Sequence, residues 1–276
     1  MEGALAGLPG ASGDAGEGPV VPALLEGVLL AWGTPAAARD AARAWYGDLV
    51  GPLLVRAQTT AELQEGLAPG DVGLRVVLVA QAGPGDPAGL LGLREARNRL
   101  LDDDRVELTG VHIAAPPGQL RTDGVGDLLA ELDLTVPAWI EVPPSPGWEQ
   151  GLEALAADGA EHLAVRLGAA PIAAVLRRAV DLDLSLRVTG VGDGAASTVQ
   201  LLAALCAVRA ALNGADEAEI AAVLAERGVA PLASALRRMS DADAAVTRAF
   251  LDAVVVQHAE AAALELAALH LVDPEV

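Results

Sequence analysis

Three consecutive stretches decide the fold: Glu161-His-Leu-Ala-Val-Arg-Leu167, Pro171-Ile-Ala-Ala-Val-Leu-Arg-Arg-Ala-Val180 and Leu184-Ser-Leu-Arg-Val-Thr189. The first and third are short and rich in Leu and β-branched residues. The second carries apolar residues at helical spacing. Together they read as strand, helix, strand, the unit that joins parallel strands through a covering helix. Working outward, the same rhythm recurs. Gly51–Ala57, Gly73–Ala80, Val106–Ala114 and Val136–Val142 complete six strand-like runs, most of them separated by Ala/Leu-rich helical stretches. The pattern predicts an α/β protein, a TIM-barrel-like parallel βα barrel that is incomplete or irregular. Folds of this kind place ligand sites at the C-terminal ends of the strands.

Beyond Gly190-Val-Gly-Asp-Gly194 the pattern turns helical, with segments at Thr198–Asn213, Asp216–Glu226 and Pro231–Met239 and another starting at Asp241. Ala253–Val256 reads as a seventh strand, and a helix over the same residues fits as well. Toward the other end, Val20–Trp32 and Pro35–Asp48 read as helices, the second with Thr34 as N-cap and Pro35 at its first position. Residues 1–19 are Gly, Ala and acidic residues without a period and read as a disordered tail. Residues 20–276 then form a single barrel-like domain.

Composition narrows the chemistry. Of 276 residues, 53% are hydrophobic and only 2% aromatic, so Ala, Leu and Val must build the core. The formal net charge of −20 argues against nucleic acid and against anionic membrane surfaces as partners. All 18 basic residues are arginine. Without lysine there is no Schiff-base aldolase, no pyridoxal-phosphate linkage and no P-loop lysine. The one cysteine, Cys206, lies in an apolar helical run, which suits a buried thiol and a reducing cytoplasm. No basic segment followed by an apolar core suggests a signal peptide, and no run of 18 uncharged apolar residues suggests a membrane span.

The polar residues at strand ends are the candidate site. Glu141 sits late in the apolar strand Ala138-Trp-Ile-Glu-Val142, where a carboxylate is costly unless paired or wet. It reads as a general base, a metal ligand or an arginine partner. Arg166 and Arg187 fall near the ends of adjacent strands, and two guanidinium forks at one mouth would suit a carboxylate or phosphate. Thr189 ends the same strand as Arg187. Asp193 lies in the glycine-rich turn that resembles an anion cradle, although its charge would repel phosphate. His112 reads either as a satisfied core histidine or as a catalyst facing the barrel interior. No histidine spacing suggests a metal site, and the cofactor is left open.

Several of these segments together resemble a family of uncharacterised barrel proteins from high-GC actinobacteria. Gly51–Leu67 resembles their strand and Ala-Glu-Leu helix, and Ile140-Glu-Val-Pro143 resembles their Val-Glu-Val-Pro strand. Arg166-Leu-Gly168, Leu186-Arg-Val-Thr-Gly190, Val199–Asn213, Asp216–Arg227 and Ala253–Ala259 fall where that family has its later motifs. The departures fall on reactive groups. The family's lysines are replaced by Ala164 and Arg187, its paired histidines by Asp193 and Gly194, and its cysteine segment by Val255-Val-Gln-His258. The resemblance carries over Glu141, Arg166 and Thr189 and brings no activity with it. Two functional readings follow. One is a small anionic metabolite bound at the strand ends, with a lyase or isomerase step through Glu141. The other is a catalytically degraded scaffold that serves binding, regulation or assembly, as a homodimer through its apolar C-terminal helices or as a partner of another protein.

Overall fold

The computed structural model describes residues 22–81, 87–114, 136–141, 147–157, 159, 162–168, 171–191 and 195–274. The expected tail and the turn residue Asp193 lie outside them. Among the described residues, eight parallel strands form one sheet. They are β1 (Leu29–Ala31), β2 (Leu53–Arg56), β3 (Leu74–Gln81), β4 (Val106–Ala114), β5 (Ala138–Glu141), β6 (His162–Arg166), β7 (Ser185–Thr189) and β8 (Leu251–Val256). Strands β2 to β8 pair in sequence order, and β8 pairs with β1. The seam between β1 and β2 is held by bridges at Leu29–Val50 and Trp32–Leu54 and by Gly51 N–H donating to the Leu29 carbonyl at 2.8 Å. The sheet is therefore a nearly closed barrel.

Helices cover it: α1 (Pro22–Leu25), α2 (Pro35–Arg43), α3 (Thr60–Gly66), α4 (Pro87–Leu101), α5 (Trp148–Ala157) and α6 (Ile172–Asp181). Four more, α7 (Ala195–Leu212), α8 (Glu217–Ala225), α9 (Val229–Arg237) and α10 (Asp241–Phe250), intervene between β7 and β8, and α11 (Ala259–Ala268) follows β8. The period-two alternation of each strand divides the core. Outward residues such as Val76, Ile113, Leu163, Val188 and Val254 join the large core beneath the helices. Inward residues Leu30, Leu54, Val77, Ala253 and Val255 form a small separate cluster inside the barrel. Helix α7 is apolar all round because α6, α8, α9, α10 and α11 all pack on it. None of the described helices is long and apolar enough to cross a membrane.

The six runs read as strands are strands β2 to β7, and Ala253–Val256 belongs to a strand rather than a helix. The helix expected over Val20–Trp32 is corrected. Among its described residues only Pro22–Leu25 are helical; Gly27 at φ +61° turns the chain, and Leu29–Ala31 becomes the first strand. Thr34 caps α2 as expected, its hydroxyl accepting from Ala37 N–H at 3.2 Å.

Candidate functional site

The barrel's C-terminal mouth gathers inward residues from neighbouring strands. Ala114 pairs in register with Glu141, Glu141 with Ala164, and Arg166 with Thr189. His112 lies two residues below Ala114 on the same face of β4, so its ring rises toward the carboxylate of Glu141. His112 Nε2 is 3.5 Å from Glu141 Oε2, and Arg166 Nε donates to Glu141 Oε1 at 2.8 Å. Each oxygen of Glu141 thus faces its own cationic or donor group. The first contact is a long, weak hydrogen bond, and the second is a full charge-assisted bond.

Electrostatics follow from that placement. Burial pushes the Glu141 carboxyl up, but His112 and Arg166 outweigh it and hold the group below its ordinary value. For His112 burial is the largest influence and depresses the imidazole pKa despite the adjacent carboxylate, so the ring is held neutral near pH 7. The Arg166 side chain is 58% exposed while that of Glu141 is 12% exposed. The carboxylate is thus largely sealed, and the guanidinium binds it through Nε while more than half of the arginine side chain stays exposed. Gly190, at φ +76°, follows β7 beside this arginine, and a Cβ there would come within 2.9 Å of Arg166 Cγ. The residue expected in an anion cradle thus gives Arg166 room for its stem. Across the mouth, Arg56 lies 4.6 Å over the Trp32 ring, a second arginine that the sequence did not single out.

The structure separates residues that the sequence grouped. Thr189 is buried, and its hydroxyl donates to the Val165 carbonyl at 3.3 Å, joining β7 to β6. Arg187 does not share the mouth with Arg166. It pairs in register with Ala164, two residues below Arg166, and its guanidinium turns toward the N-terminal end of the barrel. There Nε and Nη2 both donate to Asp252 Oδ2, at 3.0 and 2.7 Å, and the group lies 3.6 Å over the Trp139 ring. The cause is local: the β7–β8 register skips Asp252, so this bulge residue re-aims its carboxylate at the arginine. Trp139 in turn stacks on His162 with centroids 4.8 Å apart. It fits only because position 110 is glycine: a Cβ there would sit 2.4 Å from Trp139 Cζ3.

Cys206 is buried in α7, with its thiol pushed up to about 12 by burial, so it is unsuited to nucleophilic work. Among the described residues no group of three or more His, Cys, Asp or Glu is placed to hold a metal ion. No family model, curated protein or solved structure matches the chain.

Proposed function

We propose that the C-terminal mouth binds a small anionic metabolite through Arg166, and that Glu141 orients this arginine instead of acting as a base. The single observation behind the reading is the occupancy of Glu141: His112 stands against one carboxylate oxygen and Arg166 against the other. A carboxylate so paired, and held below its ordinary pKa, is a weak proton acceptor at neutral pH. It is well suited to fixing the plane of a guanidinium, whose exposed end then offers two parallel N–H donors to a carboxylate or phosphate. In this reading the barrel retains binding and has lost the acid/base step.

A lyase or isomerase reading has one observation in its favour. His112 is neutral and held beside a carboxylate, the arrangement by which an imidazole is oriented as a base. Its near-complete burial weighs against contact with a substrate. The readings separate in a thermal-shift screen against inorganic phosphate, sugar phosphates and small dicarboxylates. At about 100 times its dissociation constant a ligand adds about 2.7 kcal/mol. Binding by Arg166 predicts a shift in the wild type that disappears in Arg166→Gln, with no consumption of the ligand. A shift that survives Arg166→Gln, or no shift with any anion, contradicts it. Conversion of a bound ligand, abolished by His112→Asn, would move the assignment to catalysis.

A further inference from the structure

At the opposite end of the barrel lies a cavity of about 570 Å³, lined by Trp139, Arg187, Asp252, Thr109, Arg75 and Arg248 among others. Its size suits a small molecule. Two inward residues at its floor are chemically unfinished. Arg187 is 2% exposed, and its Nη1 has no hydrogen-bond partner among the described residues. The Nε1 of Trp139, on whose ring Arg187 lies, has none either. Both groups can only donate. Buried donors in folded proteins are nearly always paired with protein, ordered water or ligand. What this floor lacks is an acceptor.

The backbone is bent around the same spot. The sheet breaks register twice, at Thr109 on β4 and at Asp252 on β8, and both bulged residues line this cavity. Bulges turn side chains out of the ladder, and they concentrate beside functional sites. The Asp252 carboxylate takes Nε and Nη2 through a single oxygen, which leaves Nη1 of the fork open.

The lining also limits what the acceptor is. Arg75, Arg187 and Arg248 stand against Glu26, Asp48 and Asp252, so the formal charges of the wall cancel. Arg248 is largely spent on backbone, donating to the carbonyls of Glu26, Leu251 and Asp252. A doubly charged anion would meet no net positive field, whereas one carboxylate could answer two adjacent donors. Leu30, Val50 and Ala253 add an apolar wall. We infer that this N-terminal cavity binds a small monocarboxylate with a short aliphatic body, its oxygens accepting from Arg187 Nη1 and Trp139 Nε1. The site is distinct from the mouth and does not depend on the role assigned to Arg166.

The test titrates propionate, butyrate and inorganic phosphate into the full chain and reads Tm together with tryptophan fluorescence. Three proteins are compared: wild type, Trp139→Phe, which keeps a ring under the guanidinium but deletes the indole N–H, and Arg166→Gln. The expected result is a saturable Tm increase with the carboxylates. Their affinity should fall about tenfold or more in Trp139→Phe, the effect of losing one hydrogen bond to a charged acceptor. Arg166→Gln should match the wild type. Absence of any carboxylate shift would mean that water alone fills the floor and would overturn the inference. So would an undiminished shift in Trp139→Phe, a loss of the shift in Arg166→Gln, or, in Arg166→Gln where the mouth no longer contributes, tighter binding of phosphate than of either carboxylate.

Discussion

The two ends of this barrel hold the same pair of groups turned opposite ways. At the C-terminal mouth Glu141 is the sealed partner, 12% exposed, and Arg166 the open one, 58% exposed. At the N-terminal end Arg187 is sealed, 2% exposed, and Asp252 the more open partner at 33%. Ion pairing alone does not tell them apart; the identity of the buried member does. A buried carboxylate presents a wet guanidinium fork to solvent. A buried guanidinium depends on its carboxylate for most of its compensation, because burial strongly disfavours its charge. The first geometry suits recognition of an anion, and the second is a structural liability unless something completes it.

The contrast can be broken most forcefully at the N-terminal end. Asp252→Asn leaves the Arg187 charge buried without its counter-ion, and the expected loss is about 3–5 kcal/mol, read as a lower urea midpoint. A loss under about 1 kcal/mol, the range of surface pairs, would mean that Arg187 is hydrated and that the two ends are alike. Next in size is Gly110→Ala. Its methyl would press on Trp139 at the 2.4 Å approach given above, so the ring that supports Arg187 must move. The expected cost is about 1–3 kcal/mol, with an altered tryptophan emission. An unperturbed variant would show that Trp139 is not wedged against β4.

A pH titration sharpens the other end. The folded-state pKa of His112 lies below its usual 6.5, so the unfolded chain takes up a proton first. Its contribution to stability is complete above about pH 6.5 and is lost as the pH falls below that value. Glu141, also depressed, adds a second loss below the ordinary carboxylate range, where the unfolded chain protonates and the folded one resists. Urea midpoints measured between pH 8 and pH 4 should therefore fall with acid, and His112→Asn should flatten the upper part of that slope. An unchanged slope would remove His112 from the mouth's electrostatics. The smallest effect belongs to Arg166→Gln. An arginine this exposed contributes at most about 1 kcal/mol through its pair, so stability should hardly change while anion binding is lost. A large destabilisation would make Arg166 a structural residue.

The parallel βα rhythm was legible because short strand-like runs alternate with helical stretches: Val76–Ala80 is continuously apolar, as a buried parallel strand is, and Leu184-Ser-Leu-Arg-Val-Thr189 alternates with the period of a strand. Strand β1 was not legible. Leu29–Ala31 has three residues, lies a few residues after a single helical turn, and shares one apolar run with it. Strand β8 was ambiguous for a related reason, since helix α10 runs directly into it. At the site, Glu141 announced itself as a charge in an apolar strand. The destination of Arg187 did not, because Asp252 is 65 residues away and faces it only through a register break. Trp139 stood two residues before Glu141 in the same run, and strand alternation alone places both side chains inside the barrel. Its contact with Gly110 depends on pairing across strands, which no local pattern encodes.

The most direct test of the central claim is the titration of Glu141 itself, followed by the ¹³C chemical shift of its side-chain carboxyl and assigned by its loss in Glu141→Gln. A carboxylate committed to His112 and Arg166 should titrate below the ordinary glutamate range in the wild type and move upward in Arg166→Gln. A Glu141 that titrates at or above the ordinary value, and ignores the loss of Arg166, would be a free carboxyl available for proton transfer, and the account of the mouth as a binding device would be wrong.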